Sequence, residues 1–202
     1  MANSIDTGLL PCETTATIAR QAALRYFAVV VSALALAACG GSSNNTSSSG
    51  STSPSASSSS SSGPHIATVD ACSVVTSDLA HQDLGVAFQG SGASTVCTYS
   101  SADGTQNLIV FGEVLPDAST AAQVQPNQLA QQFNAAYGVT NAKTLNGVGD
   151  KAVEYSLTSS GQSGTIIFIF KSNVVLMLIL EPTPADPSGF EKLAKAAADN
   201  LH

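Results

Sequence analysis

The sequence predicts an α+β domain: an antiparallel β-sheet of about five strands covered by two or three helices. Three observations carry this. Thr165–Phe170 and Val174–Leu180 are two apolar runs of strand length, separated by Lys171-Ser-Asn173. Thr95–Ser100 and Asn107–Gly112 are strand-like and flank an Asp103-Gly104 turn, a strong hairpin signal. The C-terminal residues carry a helix-period apolar stripe behind a start signal.

Taken in chain order, the domain begins near residue 65. Thr76 or Ser77 can cap a helix running through Asp78-Leu-Ala-His-Gln-Asp-Leu84, with an acid in its first turn and Gly85 as its stop. The first hairpin follows. Asp117 and Ser119 can cap a stretch in which Leu129, Phe133 and Ala136 or Tyr137 recur on one face, with Pro126 kinking it or marking a fresh start. Lys151–Leu157 reads as a strand, and Ser159-Ser-Gly-Gln-Ser-Gly164 as the turn that joins it to the apolar pair. Neither apolar run alternates with polar residues, so both are expected at the centre of a sheet covered on its two sides. They are too short, and too clearly divided by turn residues, for a membrane span. After the Pro182–Pro187 loop, Ser188 and Glu191 have capping-box spacing. Phe190, Leu193, Ala194, Ala197 and Leu201 then line the apolar face of a final helix, with Glu191–Lys195 and Lys195–Asp199 as i,i+4 ion pairs.

The residues before the domain point to export. Arg20 and Arg25 precede an uncharged apolar run, Tyr26–Ala38, that ends in Leu36-Ala-Ala-Cys39-Gly40. Residues 1–38 therefore read as a signal peptide. Small residues admit the backbone to a peptidase cleft, and the Cys39 thiol at the cut can receive a diacylglyceryl group. Cys39 is the expected lipidation site, with palmitate-type acyl chains anchoring the mature chain to the cell membrane, or to an outer membrane where there is one. The lead before Arg20 is long and contains Asp6 and Glu13, which leaves a translation start downstream of Met1 open. Residues 39–64 follow as the lipidated cysteine and a Ser-rich linker; from Gly40 to Gly63, 14 of 24 residues are Ser and none is charged. Such a segment cannot repay the entropy of folding and reads as a tether. Residues 65–202 are the expected globular α+β domain.

Charge excludes one class of partner. The part of the chain from Cys39 onward holds five lysines, no arginine and twelve acids. Nucleic-acid binding needs clustered cations that release phosphate counterions, so no nucleic acid is expected. A basic patch for lipid headgroups is equally missing, so membrane attachment is expected to be covalent or through a partner. Cys72 and Cys97, in an exported and oxidising setting, are the expected disulfide. Closing the loop of about 26 residues between them would stabilise the domain by roughly 3.5 kcal/mol in the chain-entropy view.

Three short motifs, Asp70-Ala-Cys72, Cys97-Thr-Tyr99 and Gly147-Val-Gly-Asp-Lys-Ala152, resemble those of a family of small, uncharacterised envelope lipoproteins common in actinobacteria. The resemblance covers roughly residues 66–201. That family shows Asp-Pro-Cys, Cys-x-Trp and Gly-Leu-Gly-Asp-x-Ala; here Ala71 and Tyr99 depart from it. The resemblance implies a PsbP-like α-β-α sandwich and no particular activity. Read from the residues, Gly147 and Gly149 permit a tight turn whose backbone Asp150 can hydrogen-bond.

Catalytic machinery is not legible. His65, His81 and His202 have no evident partners, no nucleophile elbow or phosphate loop occurs, and Asp78, Asp83, Glu154 and Glu181 are scattered. The sequence thus predicts no catalytic residue, no cofactor and no metal site: a non-enzymatic envelope lipoprotein that binds a ligand or partner, either a hydrophobic small molecule or an envelope protein. The alternative is a structural or assembly factor acting by protein contacts alone. An enclosed apolar pocket favours the first, an exposed apolar patch on a shallow surface the second.

Overall fold

In a computed structural model of the chain, residues 65–134, 137–159 and 161–202 are described, with the Ser159 side chain left aside. All belong to the second of two units into which the chain divides, Ser57–His202. The signal peptide, Cys39, the linker and Ala136 lie outside the described residues.

The chain begins with two short helices, α1 (Ala71–Val74) and α2 (Ser77–Leu84). Asp70 caps α1 by accepting from the Cys72 N–H, and Thr76 caps α2 by accepting from the Leu79 N–H. Gly85 ends α2 in the left-handed conformation its sequence position predicts. Three strands follow, β1 (Phe88–Ala93), β2 (Val96–Ser101) and β3 (Asn107–Val114). The β2–β3 turn is built as expected around Asp103, whose Oδ1 accepts from the Thr105 N–H and from the Ser101 and Thr105 hydroxyls. Those bonds hold its carboxyl down at about 2.

Pro126 starts a new helix instead of kinking one. Ala118–Gln123 (α3) is capped by Asp117, and Pro126–Phe133 (α4) begins with the proline in its first turn, where a missing N–H costs nothing. Four strands then run β4 (Gly138–Thr144), β5 (Lys151–Ser159), β6 (Gln162–Lys171) and β7 (Val174–Glu181), before α5 (Ser188–Asp199).

All seven strands join one antiparallel sheet in the order β1-β2-β3-β7-β6-β5-β4. The α+β class therefore holds, and the finer expectation is corrected: seven strands instead of about five, and five described helices instead of two or three. The two added strands are the sheet's edges. β1 (Phe-Gln-Gly-Ser-Gly-Ala) and β4 (Gly-Val-Thr-Asn-Ala-Lys-Thr) are mostly exposed and lack an apolar period. Pairing with a neighbour, not side-chain burial, makes them strands.

The apolar pair occupies the middle, as its composition demands. From Gly164 to Phe170 and from Val174 to Leu180 every residue is buried. One face packs on α1, α2 and α5, where Leu108, Val110, Leu176, Leu178, Ile167 and Ile169 meet Phe190, Leu193, Ala194 and Ala197. On the other face α3 lies over β6 and β7 and α4 beside β4, and Phe133 and Tyr155 each bring a ring within 6.0 Å of the Phe168 centroid. Helices thus cover both faces of the sheet.

Three local expectations are corrected. Ser188 is the first residue of α5, not its cap, and no capping box forms; Asp186 instead accepts from the Ser188 N–H and hydroxyl. Glu191 pairs with Lys143 of β4 at 2.5 Å, whereas Lys195–Asp199 forms at 2.8 Å as expected. The turn between β5 and β6 is also tighter than the predicted 159–164 stretch, since β6 starts at Gln162.

Candidate functional site

Among the residues singled out from sequence, Cys72 and Cys97 are joined: their sulfurs are 2.03 Å apart and bridge α1 to β2. Beside them Tyr99 is buried under α1, its hydroxyl donating to the Val75 carbonyl. Burial, with the nearby Asp70 carboxylate, pushes that phenol up to about 12. Two of the three family-like motifs therefore build one structural corner.

The third motif builds a turn and something more. Gly147 and Gly149 have φ of 76° and 56°, and a Cβ on Gly149 would sit 2.6 Å from the Phe170 carbonyl oxygen. The Asp150 carboxylate does not hydrogen-bond its own turn. It accepts from the Ser172 N–H at 2.6 Å, holding the β6–β7 turn, where Ser172 itself has φ of 53°. Next to it Asn173, fully buried, closes on residues 107 and 58 positions away in the chain. It accepts from the Ile66 N–H and donates to the Ile66 and Leu115 carbonyls. Sequence reasoning saw only a turn residue here, because nothing local signals so distant a partner.

His81 is exposed on α2, and the His65 ring contacts the Pro116 carbonyl oxygen. Glu154 lies beside the Lys143–Glu191 pair on the sheet face that carries α5, with one carboxyl oxygen buried and without a hydrogen-bond partner. Burial raises its carboxyl against the pull of Lys143. Among the described residues no group of three or more His, Cys, Asp and Glu side chains is placed to hold a metal ion.

Two depressions lie on the described surface. One, of about 320 Å³, lies between the segment around Ile66, α1 and the end of α5, with Asp70, Ser73, Asn200 and His202 among its lining residues. The other, of about 180 Å³, is bordered by Asp83, Gln106, Asp186 and Lys192. Both are half open and mixed in polarity.

The apolar surface lies elsewhere, on the sheet face that carries α3 and α4. Strand register lines its side chains up in rows. One row runs Ala93, Val96, Phe111, Met177, Phe168, Val153, and the next runs Ser91, Thr98, Ile109, Ile179, Ile166, Tyr155. Under the helices these rows are closed, with Phe168 at 1%, Ile166 at 0% and Met177 at 2% exposure. Toward β1 they open: Val96, Thr98, Ile109 and Phe111 are only part-buried, although Cys97, Tyr99, Leu108 and Val110 on the opposite face of the same strands are at 1% or less. Glu113 and Glu181 stand at the two ends of this strip, and burial raises both carboxyls. From Glu113 to Asn107, the register partner of Glu181, is six residues, so the acids are roughly 20 Å apart at strand rise. No helix of the described residues is long and apolar enough to cross a membrane.

The sequence matches no protein-family model and no curated protein.

Proposed function

We propose that this chain is an exported lipoprotein, anchored through Cys39 and a Ser-rich tether, whose domain is non-catalytic and makes contact with another envelope protein. The observation that carries the contact is the open end of the two apolar rows, where Val96, Ile109 and Phe111 lie half-covered on a flat sheet face. Flat, part-exposed apolar surface rimmed by polar groups suits a protein partner. A hydrophobic small molecule has less support, because such ligands need concave enclosure, and the depressions described above are open and mixed in lining. Of the two partners open to a binding domain from sequence, an envelope protein therefore has better support than a hydrophobic small molecule. The rows of scattered histidines and acids give no grounds for a reaction.

A photo-crosslinking amino acid placed at Phe111 in the full chain, in the cells that make it, tests this. Irradiation should give a discrete protein adduct from position 111 and none from Asp78, which is exposed on α2 of the other face. Identical adducts from both positions, or lipid adducts alone, would sink the reading.

A further inference from the structure

The two edges of the sheet are guarded differently. On β4 the pairing with β5 is broken by a bulge between Thr140 and Lys143, Asn141 is held at a φ of 56°, and the charged Lys143 is tied to Glu191 of α5. These are the devices by which sheets avoid edge-to-edge association. β1 has none of them. It contains no charge and no proline, and it pairs with β2 without a register shift from Phe88 to Ala93.

Hydrogen-bond phase shows which groups β1 offers. The Ser101 N–H donates to Gln106 and the Gly112 N–H to Thr95, so alternate residues of β2 from Thr95 to Ser101 face β3. The Ala102 N–H donates to the Ala87 carbonyl, so the intervening residues of β2 face β1. On β1, Gln89, Ser91 and Ala93 therefore bond inward, and Phe88, Gly90 and Gly92 point their N–H and C=O groups outward. Phe88 is buried, whereas Gly90 and Gly92 are exposed. Their lack of side chains has an inner cause: a Cβ on Gly90 would collide with the Tyr99 ring, and one on Gly92 with the Val96 carbonyl oxygen. The consequence is an outer edge with two bare peptide units in register.

We infer that β1 is a self-association edge, at which a second copy of this chain adds its own β1 antiparallel, about a two-fold axis at Ser91. The edge is self-complementary in that register. Gly90 of each copy lies opposite Gly92 of the other, and the four exposed N–H and C=O groups of each strand pair with those of its mate, as an isologous contact requires. Ser91 faces Ser91 across the axis on the side of the sheet that carries α3 and α4. Charge selects this edge for two acidic copies, since β1 brings no carboxylate to the axis while the domain as a whole carries a net −7. The open ends of the apolar rows then lie side by side in the dimer. The inference stands apart from the proposed contact surface, which the strand edge leaves uncovered.

Variants of the full chain with one added cysteine, in its own membrane, test the register. Directly opposed, non-hydrogen-bonded residues of an antiparallel pair are close enough for a disulfide. Ser91→Cys should give a covalent dimer under mild oxidation, several-fold more than Gln89→Cys, which is equally exposed on the same face but lies opposite Ala93 of the mate. Adding Gln89→Lys to Ser91→Cys should abolish the dimer by charging the edge. Equal crosslinking of both single variants, crosslinking to a different protein, or none from Ser91→Cys in a chain whose Cys72–Cys97 bridge is intact would each overturn the inference.

Discussion

Replacing Asn173 by Ala should destabilise the domain far more than a turn substitution does. Asn173 is fully buried and makes hydrogen bonds of 2.8, 2.9 and 2.9 Å to Ile66 N–H, Ile66 C=O and Leu115 C=O. Truncation leaves three backbone groups without their partner. A buried unsatisfied group costs about 1–3 kcal/mol, but Leu115 is only part-buried and water can reach it. A net loss of about 2–4 kcal/mol follows, a large share of a small domain's stability. Urea unfolding followed by far-UV circular dichroism, with the disulfide intact, measures it. At a slope of about 2 kcal/mol per molar urea, the midpoint should fall by about 1–2 M with the slope unchanged. Ser172→Gly, which relieves the positive φ of the same turn, should change stability by less than about 1 kcal/mol. A loss under about 0.5 kcal/mol for Asn173→Ala would refute the claim that this side chain clamps the start of the domain to the sheet.

Removing the bridge with Cys72→Ala and Cys97→Ala together should cost about 3.5 kcal/mol from loop closure alone, read in the same unfolding assay; a loss below about 1 kcal/mol contradicts it. Gly149→Ala should lose roughly 2 kcal/mol or more, because its φ is positive and the new Cβ would press on the Phe170 carbonyl; thermal melting that matches the parent chain would count against that geometry. Burial raises Glu154 above the usual carboxylate range, so ionising it weakens the fold as pH rises from below its unfolded value through its folded one. Glu154→Gln should therefore gain melting temperature relative to the parent at pH 7 and lose that gain at pH 4. A difference that does not change with pH would show that the charge is not the cause.

The parts of the fold legible in the sequence were those where one local pattern determines the outcome. Thr165–Leu180 could only be a central hairpin, and Asp103-Gly104 or Pro126 marked element boundaries that the structure keeps. The edge strands escaped because their residues answer to neighbours: Gly90 and Gly92 are glycine on account of Tyr99 and Val96, and β4 is exposed and bulged. Ser188 misled because the helix starts one residue earlier: Pro187 is the cap, its carbonyl accepts from the Glu191 N–H, and the Ser188 hydroxyl is drawn back to Asp186. The apolar strip and Asn173 were invisible for a common reason. Phe111, Ile109, Ile66 and Leu115 meet their surroundings only through strand register and long-range contact, which no spacing rule encodes.

Tethering through Cys39 is read from the intact mass of the chain extracted from its own membrane. The expected N-terminus is Cys39 carrying diacylglyceryl, with or without a further acyl chain. A mature chain that starts elsewhere, or that bears Cys39 without acyl mass, would contradict it.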